Sequence, residues 1–460
     1  MATTGRRGPT STARRLACSA YSRLGPAPAC TGSERLWLLV IVLVAIALRV
    51  AWVVYAAREP RGFHDPTLYG VFAARIADGH GYTGANGQAT AYYPVGYPGA
   101  LGAVAWLVRL TPLPDDIPKT AAVFNLVLGV GTVLLTFEVG RRLFNNRIGL
   151  LSAAIVALSP NLIFHTAVML TETLFNFLVM EAVLLVVAIP AAARRIGWKR
   201  MAAFGVLVCL SALVRPISLM FLPVLLLVLV VARFGWPRAL RYVGVATFAV
   251  VIVLAPWTIR NVDATHSFVF ISTNLGDNLC MSRHTGATGG FQSSPACIVS
   301  SKGTTTPDYE VEVNRTNTRR ATRFVRDHPL HEARLLFLRA YHTIKNDHDG
   351  LSASESYGSD RFIPSALRRA LEIVADIYFF AALGLALLAV PAFLGRARPW
   401  HLLFLLAAVA LAVQPLIFFG DPRFHVPVLP FLAVFAAVAL SRIRYRVLFG
   451  TSGPSGNRSL

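Results

Sequence analysis

Between Arg58 and Pro118 the chain carries His64-Asp65-Pro66, then Asp78-Gly79-His80-Gly81-Tyr82, then Tyr92-Tyr93-Pro94-Val95-Gly96-Tyr97-Pro98. This stretch is too polar to cross a membrane, yet an apolar run at about Leu36–Ala57 precedes it and another at about 119–139 follows. A carboxylate just beyond a first span, followed by an aromatic and proline-rich return, points to a reaction site held against the bilayer.

The rest of the chain sets that bilayer in place. Apolar residues make up 55% of the 460 positions and charged residues only 15%, far from a soluble globular balance. Ten apolar runs read as spans, and several of them reach the roughly 20 residues that a hydrocarbon core requires. Besides the two already named they lie at about 148–165, 167–190, 201–214, 216–232, 239–258, 371–394, 400–419 and 424–441. The net charge of +21 sits in short clusters between them, such as Arg141-Arg142, Lys199-Arg200, Arg233…Arg238…Arg241 and Arg442…Arg444…Arg446. Such clusters keep the inner side of a polytopic protein cytoplasmic, and their placement argues against nucleic acid as a partner. Gly96–Leu110 is apolar but short, and its far side is acidic, so it reads as interfacial or re-entrant.

The expected fold is thus an all-α polytopic membrane protein of about ten transmembrane helices. Residues 1–35 read as a disordered basic cytoplasmic tail rather than a cleavable signal. A transmembrane module, 36–258, carries the first outer loop at 58–118. A long extracytoplasmic loop, 259–370, leads to C-terminal spans over 371–441 and a short basic tail, 442–460. In the long loop a Gly/Ser/Thr/Asn-rich half, 272–308, precedes a helix-like half from about Tyr309 to Ile344, interrupted at His328-Pro329. Cys280 and Cys297 share this loop, where an oxidising compartment would allow a bridge that spacing alone leaves open. Cys18 and Cys30 fall in the tail, and Cys209 reads as a small apolar filler within a span.

Two acids and several cations stand out on the outer face. Asp65 and Glu172 could divide base and orienting roles or share a cation. Their plainer readings are a helix cap before Pro66 and a carboxylate paired with a nearby arginine. Arg215, Arg260 and Arg423 break the inside preference for positive charge, and guanidinium groups match phosphate oxygens in bidentate geometry. Snorkelling to ordinary phospholipid, or a local pair between Asp421 and Arg423, would explain them without a site. Lys345 is a fourth candidate cation.

At these residues the chain resembles the GT-C superfamily of integral-membrane glycosyltransferases, in the branch of the protein O-mannosyltransferases and the lipid A aminoarabinose transferase. The likeness runs over about 36–440. It rests on Asp65…Tyr69, Gly79-His80-Gly81-Tyr82, Tyr93-Pro94-Val95-Gly96-Tyr97-Pro98, Ser159-Pro160…Thr171-Glu172-Thr173 and Leu213-Val214-Arg215-Pro216. It continues through Pro256-Trp257-Thr258-Ile259-Arg260-Asn261, Ser272-Thr273-Asn274-Leu275-Gly276-Asp277-Asn278 and Gly420-Asp421-Pro422-Arg423-Phe424-His425.

The resemblance implies a GT-C-like bundle whose outer loops bear short juxtamembrane helices. It implies transfer of a hexose or pentose from a polyprenyl-phosphate donor to a glycan, lipid or protein acceptor, on the outer face of the cell membrane and with inversion. Asp65 would be the general base and Glu172 the second acid. Arg423, with Arg215 and Arg260, would hold the carrier phosphate. His64, Tyr69, Tyr93, Tyr97, Asn274, Asn278 and Lys345 would line the substrates. No cofactor is required. A divalent cation is possible, although Pro66 stands where the superfamily often has a further acid after the first. The alternative is a lipid or sugar-lipid flippase with an Arg-lined outer cavity, or a non-catalytic assembly subunit.

Overall fold

The computed structural model describes residues 30–190, 193, 195–299, 306–394 and 399–449. The tail expected before Arg35 lies outside the described residues as far as residue 29, and the C-terminal tail does so beyond 449. The first helix, Gly32–Ala56, starts at a capping box in which Thr31 and Glu34 each accept the other's backbone N–H. It shows Leu36, Trp37, Leu39, Leu43 and Val54 outward, as lipid-facing surface, and turns Leu38, Ala45, Arg49 and Trp52 into the bundle.

Helical segments stand at all ten expected positions, but their lengths differ. Among the described residues, six helices are long and apolar enough to cross a membrane by themselves: Gly32–Ala56, Ile117–Leu143, Trp236–Thr265, Ser365–Pro391, Pro399–Ile417 and Pro422–Ile443. Glu172–Val187, Trp198–Val214 and Phe221–Val231 are shorter, at 16, 17 and 11 residues. The run expected to span at 148–165 is bent. Asn146–Leu158 ends at Ser159, and the chain turns by 60° into Pro160–Ala167.

Proline sets these ends. It lacks an N–H and excludes the helical conformation from the residue before it. Ser159, Arg215 and Asp421, each before a proline, are accordingly extended, with ψ of 113°, 114° and 136°. Pro329 likewise separates Pro307–Asp327 from Pro329–Ile344, as the sequence predicts. Elsewhere a boundary moves: the helix expected to end near residue 258 runs on to Thr265, so Arg260 and Asn261 are helical rather than part of the long loop. Gly96–Arg109 is a helix of 14 residues, too short to span.

With hydrocarbon on the outside, helices associate through close contact rather than by escaping water. Gly205 shows how close: a Cβ there would meet the Ala246 carbonyl oxygen at 2.1 Å, so Trp198–Val214 and Trp236–Thr265 touch backbone to backbone. The segments expected on one face also pack together. Thr273 N–H bonds the Ala91 carbonyl (2.8 Å), Gly420 N–H bonds that of Gly289 (2.7 Å), and Arg61 N–H bonds the Ser356 hydroxyl (2.9 Å). Cys280 and Cys297 form a disulfide with Cα atoms 5.8 Å apart, and Cys209 is a buried thiol within its helix.

Candidate active site

Asp65 opens the helix Asp65–Ala77, with His64 as its N-cap and Pro66 just behind. Its carboxylate does not serve as the cap. Oδ1 accepts the Tyr93 hydroxyl at 2.6 Å, and Oδ2 accepts Nη1 of Arg423. The helix ends at Asp78, and Gly79 and Gly81, at φ of +79° and +69°, turn the chain back toward the aromatic stretch. Tyr93 arrives from that stretch with its ring edge-on to Tyr69, 5.1 Å between centroids. Burial, and then the charge of Asp65, hold the Tyr93 phenol far above its ordinary range, so it remains a donor.

Glu172 is fully buried at the start of Glu172–Val187. Its Oε1 accepts both Nε of Arg423 and Nη2 of Arg215. Arg215 also donates Nε to the Thr171 hydroxyl at 2.9 Å and lies 5.8 Å from the Phe175 ring. Its Nη1 is buried without a partner. Arg423 sits in the 3₁₀ turn Pro422–Val428, where Asp421 accepts its backbone N–H at 2.9 Å. Asp421 and Arg423 therefore meet through the backbone, while the guanidinium reaches the two distant acids. Burial and Asp349 push the Asp421 carboxyl up to about 7.

The remaining candidates are placed apart from this cluster or behind it. Arg260 donates to the backbone carbonyls of Thr90 (2.6 Å) and Tyr82, and so clamps the loop that follows the first span. Tyr69 and Tyr97 are buried, with Tyr97 hydrogen-bonded to Asn125, and form packing behind Tyr93. His64 approaches Ser359 Oγ at 3.4 Å and Tyr357 edge-on at 5.5 Å. Asn274 accepts from Ser272 at 2.9 Å, and Asn278 is half-buried in the short helix Leu275–Cys280. Lys345 is exposed after the helix Pro329–Ile344.

Two pairings escaped the reading of the sequence. Tyr92 donates to Asp277 Oδ2 (2.8 Å), whose other oxygen accepts Asn317 (2.7 Å), so the long loop braces the neighbour of Tyr93. Asp347 joins His425 (2.7 Å) to Asn161 (2.6 Å) behind the turn that carries Arg423. Neither pairing has a sequence signal, because each spans loops far apart in the chain. A divalent cation fits this donor set poorly. Asp65 and Glu172 are already bound by guanidinium, and among the described residues no group of three or more His, Cys, Asp or Glu side chains could hold a metal.

The comparisons assign this polytopic bundle to the GT-C fold of membrane glycosyltransferases. A family model described as dolichyl-phosphate-mannose-protein mannosyltransferase matches residues 103–259, about a third of the chain. The archaeal oligosaccharyltransferase AglB from Archaeoglobus fulgidus, solved with an inhibitory peptide and a dolichol-phosphate, superposes with a TM-score of 0.53 at 14% identity, over 93% of this chain and 53% of that one. ArnT from Cupriavidus metallidurans, bound to undecaprenyl phosphate, gives 0.51 at 15% identity, over 88% and 60%. The chain thus spans only about half the length of the oligosaccharyltransferase and somewhat more of ArnT. No curated protein matches by sequence. The chain is an integral membrane protein of the GT-C fold, mannosyltransferase-like over the matched segment.

Proposed function

We propose that the chain transfers a sugar from a polyprenyl-phosphate donor to an acceptor hydroxyl at the extracytoplasmic face of the cell membrane, with inversion at the anomeric carbon. Asp65 removes the acceptor proton as the new glycosidic bond forms. The bond from the anomeric carbon to the phosphate oxygen breaks, and the carrier departs as a phosphate anion. Arg423 and Arg215 stabilise that anion where its charge develops. Glu172 keeps the two guanidinium groups together and offsets their charge until the donor arrives.

One observation carries this reading: Arg423 holds a half-buried carboxylate on one side and a fully buried one on the other. The unpartnered Nη1 of Arg215 adds a donor ready for a phosphate oxygen. Polyprenyl phosphates in the AglB and ArnT structures support the class of donor. The test is turnover of a polyprenyl-phosphate sugar by purified protein, wild type against Asp65→Asn and Asp65→Ala. A general base contributes about 10²–10⁴-fold, so a loss under about tenfold removes Asp65 from that role.

A further inference from the structure

We propose that Arg49 is a positioning residue, a guanidinium in the first span that replaces the backbone donors lost at Pro160 and so holds the bend leading to His165 and Glu172. In an unbroken helix the carbonyls of Ile155, Val156 and Ala157 would accept from the N–H groups of residues 159, 160 and 161. Pro160 has no N–H, Ser159 is extended, and the chain turns by 60°, so these carbonyls lose their helical partners. At membrane depth no water replaces them.

Side chains from two other spans do. Arg49 donates Nη1 to the Ala157 carbonyl at 3.1 Å and Nη2 to that of Val156 at 3.3 Å. The Tyr378 hydroxyl takes the Ile155 carbonyl at 2.7 Å. Arg49 is 1% exposed, and a third bond, from Nη1 to the Ala45 carbonyl of its own helix, is 3.3 Å long. A cation buried within a span is costly and needs a compensating role. All three of these bonds go to backbone carbonyls, which matches the fork of a guanidinium to a broken helix end rather than to an acid.

The same span also holds the far arm of the bend. Trp52 donates Nε1 to the Phe164 carbonyl at 3.1 Å, with the two rings 4.7 Å apart. Arg49 Nε faces Gly129, where a Cβ would lie 3.0 Å from it and 4.0 Å from Thr173, the residue after Glu172. Span one thus grips the bend from both sides, and Gly129 lies between its arginine and the residue that follows the buried acid.

The test is a double-mutant cycle in thermal unfolding of the full chain in detergent: Arg49→Met and Arg49→Gln, each alone and with Pro160→Ala, which restores an N–H at position 160. The drop in Tm from Arg49→Met is expected to shrink by about half or more in the Pro160→Ala background, because the Val156 carbonyl regains a backbone partner. Arg49→Gln, which keeps a donor, carries the cycle if the Met variant does not fold. Equal drops in the two backgrounds overturn the proposal.

The activity arm rests on the transfer reading above. Arg49→Met, which keeps no donor, is expected to lower kcat by about 10²-fold with KM for the polyprenyl-phosphate sugar within about threefold, as a displaced acid would and a lost binding site would not. An unchanged kcat also overturns the proposal. Failure of the wild type to transfer sugar counts against the reaction instead, and the unfolding cycle then decides on Arg49 by itself.

Discussion

Arg423 and Asp65 lie 358 positions apart, yet Nη1 of the arginine donates directly to Oδ2 of the acid. The same guanidinium turns its Nε to Glu172, so one side chain closes a site built from the first loop, a mid-chain helix start and the turn before the last helix. On the proposed reaction, an arginine held this way meets the carrier phosphate in competition with the two acids. It is also strained for choice: removing either acid leaves a cation short of a partner.

Glu172→Gln tests that dependence. It removes the charge shared by Arg215 and Arg423 in a fully buried setting, and breaking a buried pair costs about 3–5 kcal/mol. Thermal unfolding in detergent is expected to move down accordingly. An unaltered Tm would mean that the two arginines are neutralised by something other than Glu172.

Tyr93→Phe keeps the ring packed on Tyr69 and removes only the hydroxyl that holds Asp65. A hydrogen bond to a charged group is worth about 1.5–3 kcal/mol, so kcat is expected to fall by about tenfold or more with the fold intact. Single-turnover rates read this directly. Full activity in the variant would show that Asp65 is positioned by Arg423 alone.

Arg260→Ala should release the first loop rather than the donor. Without its bonds to the Tyr82 and Thr90 carbonyls, amides between residues 82 and 91 are expected to lose hydrogen-exchange protection. A variant with protection intact but a raised donor KM would return Arg260 to the carrier phosphate.

Asp421→Asn carries a pH signature. The wild-type carboxyl is raised from 3.8 to about 7, so the folded chain holds a proton that the unfolded chain has released. Stability from this group is present below about pH 4 and lost as pH rises toward and through 7. Asparagine keeps the Oδ1 acceptor for the Arg423 N–H and never ionises. The variant should therefore gain stability over wild type at pH 8 and show little gain at pH 4. A pH-independent difference would assign the effect to packing.

Cys280→Ser with Cys297→Ser should cost about 2–4 kcal/mol through the freed loop. The adjacent Asp277, which braces Tyr92, should loosen with it. Non-reducing and reducing unfolding scans would then differ for the wild type and coincide for the double variant.

Much of the scaffold was open to reading from residue order. Hydropathy is a local sum and proline a local prohibition, so the ten helical positions, the interruption at His328-Pro329 and the short apolar Gly96–Arg109 are all visible in the chain. The span expected at 148–165 is helical on both sides of Pro160, which puts a bend of 60° within it. The pairing of Cys280 with Cys297 was left open because spacing does not show whether two Cβ atoms meet.

The site itself was decided elsewhere. In sequence Arg215, Arg260 and Arg423 look alike: each is an arginine at the edge of an apolar run. Folding sends two of them to Glu172 and one to the carbonyls of the first loop, and it makes Arg49, a lone charge inside the first apolar run, the donor for a broken helix end. The physical reason is range. Burial tendency and helix breaking act through a residue and its immediate neighbours, and so survive in a one-dimensional record. A hydrogen bond or ion pair across hundreds of positions exists only once packing has brought its partners within about 3 Å of each other.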